Sequence, residues 1–362
     1  EFTFRRDGSS TFGEGNRWAN FPSVAVGWSF SEEPFIKRLT GGWLNWGKIR
    51  GSYGKSGQTF TSAYLAHGLM NIMDKSFFGK TGITTDKPVS PYLTWEKTRQ
   101  YDLGLDMDMF NYRLNVKLDY YYKYTSSLIY DIPIPGSLYA FGAQVENAME
   151  ISNEGLELEL QADILRESAV SWRMKFNMAR NWNRFEKSYS GKDVVDGDGT
   201  LLVVGRPLNG LYVWAHRGYY NSDAEVPRLY KIDGQEIYFN GVATNGISGA
   251  VGDYRLLDLD GDGNPDSYYA GSPLPLAHGG WVNELMWKNF DLNVLVNFTI
   301  GRKMINNRMG LGFSRQSEDG HLTKLFDYRK LRPWDGVNKK PNAPAWGNSL
   351  SMNTDSAIEK VH

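Results

Sequence analysis

Apolar and polar residues alternate with a period of two along much of this chain. Between residues 113 and 123 the apolar or aromatic positions are Leu114, Val116, Leu118, Tyr120 and Tyr122, and Asn115, Lys117, Asp119, Tyr121 and Lys123 lie between them. Leu156, Leu158, Leu160 and Ala162 alternate with Glu157, Glu159, Gln161 and Asp163, and Trp172, Met174, Phe176 and Met178 with Arg173, Lys175, Asn177 and Ala179. Leu103–Met109 and Leu292–Phe298 repeat the pattern. A strand turns successive side chains to opposite faces, so each set occupies one face. The runs predict strands of roughly nine to eleven residues, longer than the roughly five to six usual in soluble proteins. A strand of about ten residues, tilted, crosses a bilayer. The polar faces carry full charges. A closed barrel with an apolar outside and a watered inside accommodates both faces and pairs every backbone group.

The connections are of two kinds. Phe110-Asn111-Tyr112, Ile164–Val170 and Lys288-Asn289 read as short turns, whereas 58–94, 188–207, 217–253 and 301–362 read as long loops. Alternation of short turns and long loops is the rule of outer-membrane barrels. Trp43, Trp46, Trp95, Tyr101, Tyr124, Tyr130, Trp281 and Trp287 fall near predicted strand ends, as interfacial girdles would. Roughly ten to fourteen strands are expected at this spacing, without a repeat of fixed period. Helical periodicity is weak everywhere; Thr61–Met73 is the one stretch expected to form a short loop helix.

Composition narrows the function classes. Among 362 residues are 12 Trp, 21 Tyr, 18 Phe and 39 Gly, a mixture that suits barrels and also lectin-like or carbohydrate-processing β proteins. The net charge of -1 argues against nucleic acid as a partner. The absence of cysteine excludes disulfides, thiol catalysis and cysteine metal sites. No apolar run is long enough for a transmembrane helix. Glu1 opens directly on an alternating segment, and Lys339–His362 reads as polar loop, so the chain is expected to be an internal piece of a longer one. It reads as a single β-barrel domain segment over 1–362, all-β, with long extracellular loops.

One local motif points to a metal. Asp258, Asp260, Asp262, Asn264 and Asp266 place oxygen ligands at alternate positions, with Gly263 at the sixth, as in the first nine places of an EF-hand loop. Clustered carboxylates repel one another without a cation among them. Tyr269 stands where the loop would need its bidentate acid, so a structural calcium and a plain Asp/Gly turn both remain open. No other cofactor is expected. The His residues lack the spacing of a zinc hydrolase, the glycines that of a phosphate cradle, and no GxSxG occurs, so no catalytic residues and no enzyme activity are expected. Tyr212, Trp214, Tyr219 and Tyr220 are candidate stacking surfaces for a sugar or peptide substrate, although loop packing is the commoner explanation of such aromatics.

Several segments, in order, resemble the barrel of SusC/RagA-like TonB-dependent transporters. They include Phe4–Ser10, Asn16-Arg17-Trp18, Phe21–Trp28, Ser31–Phe35, Ile49–Gln58, Leu93–Thr98, Gln100–Gly104, Asp119–Lys123, Asn153–Leu158, Asp258–Asp266 and Gly271–Pro275. The resemblance implies a middle-to-late segment of a 22-strand outer-membrane barrel, with an N-terminal plug and closing strands elsewhere. It further implies contact with membrane lipid, a SusD-like surface lipoprotein as lid, TonB as energy source through another part of the protein, and an oligosaccharide or peptide as cargo. A secreted, calcium-stabilised β-rich binding or adhesion protein is the alternative the residues leave open.

Overall fold

The computed structural model describes residues 1–59, 66, 70–85, 88–135, 137, 142–166, 168–195, 201–222, 224–225, 229–230, 236–237, 251–252, 254–257, 259, 261, 266–305, 334–337, 341 and 358–361. They form two compact units, Glu1–Leu208 with Pro275–Ile300 and Asn209–Leu274 with Gly301–His362.

The first unit is built on one antiparallel sheet of nine strands in chain order. These are β1 (Phe2–Gly8), β2 (Trp18–Trp28), β3 (Leu44–Gln58), β4 (Glu96–Met109), β5 (Leu114–Pro133), β6 (Ala143–Leu165), β7 (Val170–Lys187), β8 (Ala277–Trp287) and β9 (Phe290–Ile300). With β1 and β9 at its edges, the sheet is a wall segment rather than a closed barrel. Among the described residues the sheet holds nine long strands, against the ten to fourteen expected of the chain.

Register converts the alternation of each strand into two continuous surfaces. Met107, Val116, Leu160, Phe176, Trp281 and Val296 are successive partners across β4 to β9. The neighbouring row, on the other face, is Lys48, Asp106, Lys117, Glu159, Asn177, Gly280 and Asn297. One face is thus apolar and the other charged or amide-bearing, as a barrel wall between lipid and water requires. Trp281 sits in the middle of the apolar face, not at a strand end as expected.

An aromatic row bounds the apolar face. Tyr53, Tyr101 and Tyr122 are cross-strand partners, with ring centroids 4.8 and 6.4 Å apart, and Trp182 continues the row beyond Glu154. At the opposite edge Trp43 stacks on Phe110 and Trp287 on Phe290. Eight residue steps separate Leu114 from Tyr122, about 27 Å of strand and about 20 Å of height at a 40° tilt, close to the apolar band of a membrane barrel.

The strands do not stop at that row. β5, β6 and β7 run for 20, 23 and 18 residues, about twice the length expected. Apolar alternation registers only the part that faces lipid, whereas pairing continues between polar segments above it. A bulge interrupts β5 there, with Ser127 at φ 59°. Two small cores pack on these extensions. Phe12, Phe21, Leu93, Trp95 and Val145 form one, and Met149, Phe185 and Leu202 the other. Trp95, expected in a girdle, is therefore a buried core residue, 5% exposed, and Tyr130 packs against the second core.

The short turns fall on one edge. Phe110, Asn111 and Tyr112 all take left-handed backbone angles between β4 and β5, and Lys288 does so between β8 and β9. The 29–43 connection on that edge is longer, because it carries a helix, α1 (Pro34–Thr40), which begins on proline and ends at Gly41 with φ 54°. Seven residues are too few to show a helical period, so the sequence pattern passes over it. The helix expected over Thr61–Met73 is not formed at Met70–Met73, which lie in strand Met70–Phe77, paired with Lys80–Thr85. The described part of the second unit consists of short strand pairs, among them Leu211–Trp214 with Ser267–Gly271, His216–Tyr219 with Tyr254–Leu256, and Arg302–Ile305 with Ile358–Val361.

Candidate functional site: the polar wall and its loops

On the polar face, side chains bridge neighbouring strands in ion pairs and amide bonds. Arg50 on β3 donates from Nε to Asp106 Oδ2 at 3.0 Å and from Nη2 to Asp119 Oδ1 at 2.5 Å. Asp119 lies two strands away, on β5. The register row runs Arg50, Gly104, Asp119, and a Cβ on Gly104 would collide with the guanidinium. Glycine at this position of β4 lets Arg50 lie flat across the strand. The same device recurs one row on. Tyr121 on β5 covers Gly155 on β6, and its hydroxyl donates to Asn181 Oδ1 on β7 at 3.1 Å.

Further along, Lys117 pairs with Glu159 at 3.6 Å, Arg173 with Asp163 at 2.6 Å and Lys175 with Glu284 at 2.7 Å. Asn115 donates to Asp108, Ser52 to Asp102, and Asn177 Oδ1 accepts the backbone N–H of Gly280. The wall presents charges of both signs next to amides and hydroxyls. Such a surface matches hydrated solutes rich in hydroxyl or amide groups. The polar residues read from the sequence, Asn115, Lys117, Asp119, Glu157, Glu159, Gln161, Arg173, Lys175 and Asn177, share this face. The Arg50–Asp106–Asp119 cluster was not anticipated; its one sequence signal is Gly104, a small residue in an otherwise well-filled strand.

Above the aromatic row, a side chain holds loop and wall together. Asn147 donates from Nδ2 to Thr94 O at 2.8 Å and to Ser127 O at 2.7 Å, and its Oδ1 accepts the Thr94 N–H at 2.8 Å. Glu96 Oε1 accepts the N–H of Ile129 at 2.9 Å. Ser127 O and Ile129 N–H are backbone groups that the β5 bulge withdraws from the ladder, and the two bonds to Thr94 fix the chain just ahead of β4.

The candidate stacking aromatics lie in the second unit and are packed. Tyr212 faces Tyr269 with centroids 5.7 Å apart, Tyr219 stacks on Tyr254 at 5.3 Å, and His216 lies 4.5 Å from Tyr254. Burial, reinforced by Tyr254, pushes the Tyr219 phenol above its ordinary range. Tyr220 is 5% exposed, whereas Trp214 is half-buried. Of the calcium candidates, Asp258, Asp260, Asp262 and Asn264 lie outside the described residues. Asp266 is described. Its carboxylate accepts the N–H of Leu259 at 2.6 Å, its own N–H bonds Leu257 O, and its carbonyl accepts from Ala215. It fixes the end of that loop against a neighbouring strand.

Comparison with known proteins gives this wall a context. Residues 2–270 match the family model described as TonB dependent receptor-like, beta-barrel. TonB-dependent receptor P26 of Formosa agariphila is 31% identical over 96% of this chain and 34% of its own length. TonB-dependent receptor SusC of Bacteroides thetaiotaomicron is 28% identical over 90% of this chain and 31% of its own. The chain thus spans about a third of the length of the curated relatives it matches. Among solved structures, the RagAB peptide importer in its closed-closed state superimposes on 99% of the chain and 37% of its own, with TM-score 0.75 and 23% identity, a likeness of fold.

Proposed function

The chain belongs to the TonB dependent receptor-like β-barrel family, proteins of the bacterial outer membrane, and from that premise we propose that it forms part of the wall of an energised importer for bulky nutrients. The observation that carries the reading is the pair of rows across β4 to β9, apolar on one face and charged or amide-bearing on the other. The cargo is an oligosaccharide or a peptide, both classes that a wall of mixed charges, amides and hydroxyls can pass without dehydrating. A SusD-like surface lipoprotein lids the barrel on the side of the long loops, and TonB couples through another part of the protein. The Asp-rich loop ending at Asp266 holds a calcium ion that orders it.

Uptake of fluorescent oligosaccharide and peptide pools by whole cells tests this. Cells lacking the protein, and cells treated with a protonophore, should lose uptake of one of the two pools. Unchanged uptake of both would refute import. Affinity purification of the tagged full-length protein should recover a lipoprotein in equal amount if the lid is correct.

A further inference from the structure

Just beyond the aromatic row, on its apolar side, three cations stand without acidic partners among the described residues. Strand alternation and register place them. Above Tyr53, Tyr101 and Tyr122, the next row of the same face is Lys55, Arg99 and Tyr124, and the row after it is Gly57, Lys97 and Ser126. Exposure agrees: Lys97, Arg99, Tyr101 and Leu103 are open, and Thr98, Gln100 and Asp102 between them are partly covered. Lys55 lies directly opposite Arg99, an arrangement of like charges that costs stability unless an anion lies between them. Among the described residues none of the three joins an ion pair. They line a cleft of about 400 Å³ together with Trp18 and Asn20, and with Ser56 and Thr98 of the alternate set, and Arg6 lies over Trp18 at 5.2 Å.

The height of this cluster decides its ligand. A tyrosine row marks the boundary between acyl chains and headgroups, so cations one and two rows above it, facing outward, sit at the level of lipid headgroups. Cations at that level attract anionic lipid. We propose that Lys55, Lys97 and Arg99 bind the phosphate of an anionic lipid headgroup, with Trp18 packed beside it. The inference rests on the outer-membrane wall described above. It adds a lipid site on the outside of that wall, separate from any cargo path on the polar face.

Native mass spectrometry of the full-length protein in zwitterionic detergent provides the test, with phosphorylated lipid A, the same lipid dephosphorylated, and inorganic phosphate as probes. The wild type should retain the phosphorylated lipid, and the triple variant Lys55→Gln, Lys97→Gln, Arg99→Gln should bind it about a hundredfold more weakly. Lys80→Gln, on the loop hairpin, should bind as the wild type does. Equal retention by wild type and triple variant, or equal retention of the dephosphorylated lipid, would overturn the proposal. Displacement of the lipid by equimolar inorganic phosphate would show a free-anion site instead and also overturn it. The triple variant should still insert into liposomes; a wild type that fails to insert would refute the membrane wall itself, a separate outcome.

Discussion

The guanidinium of Arg50 reaches the carboxylate of Asp119 at 2.5 Å across an intervening strand, because the residue between them in register is Gly104. The bridge ties β3 to β5 directly, and Asp106 holds the same guanidinium at 3.0 Å.

Gly104→Ala should push Arg50 off this path and lower the stability of the detergent-solubilised protein by up to about 1 kcal/mol, the worth of a part-exposed ion pair. The loss should vanish in an Arg50→Ala background, since the two changes act on one contact. Additive losses in the four-protein cycle would mean that Gly104 serves the backbone rather than Arg50.

Val116 and Lys117 are neighbours on opposite faces, Val116 between Met107 and Leu160, Lys117 against Glu159. Val116→Arg should cost ~2–4 kcal/mol, the penalty for a cation near the middle of a lipid-facing barrel surface. Lys117→Ala removes an ion pair with both side chains well exposed and should cost less than about 1 kcal/mol. Refolding equilibria in lipid vesicles compare the two, and equal tolerance would contradict the assignment of faces.

Asn147 replaces ladder bonds where the β5 bulge and the chain at Thr94 come together. Asn147→Ala leaves these part-buried backbone groups without that partner and should destabilise by about 1 kcal/mol. Asn147→Asp keeps the acceptor for Thr94 N–H but loses both donated bonds, and should rescue only part of the loss in thermal melting.

Asp266 and Asp260 should behave differently if calcium orders their loop. Calcium should raise the melting temperature of the full-length protein, and Asp260→Ala should abolish that gain while leaving the metal-free value unchanged. Asp266→Ala should lower stability even with chelator present, because its carboxylate already holds the Leu259 N–H. A melting temperature indifferent to calcium would dispose of the metal.

Phe110-Asn111-Tyr112 and Lys288-Asn289 were legible as tight turns because they interrupt alternation for only two or three residues. α1 was not, since Phe35, Ile36 and Leu39 stand at helical spacing for barely two turns, too short a run to establish a period. Trp95 was legible as an aromatic near a strand end, yet its burial depends on Phe12 and Phe21 from a distant part of the chain, at centroid distances of 5.2 and 5.6 Å.

By itself the sequence determined the period of two, the all-β class, which residues of each strand share a face, and the edge that carries the tight turns. These are local properties, set by pleat geometry and by the hydrophobic preference of each position. Tertiary structure decided what lies beside what. Lys175 meets Glu284, 109 residues away; Arg50 passes over Gly104; Lys55 confronts Arg99. Register between strands is chosen by all the rows at once, because a slip of one residue would turn an entire apolar face into the water. That choice belongs to the assembled sheet, and the ion-pair wall, the strand extensions and the cation cluster all follow from it.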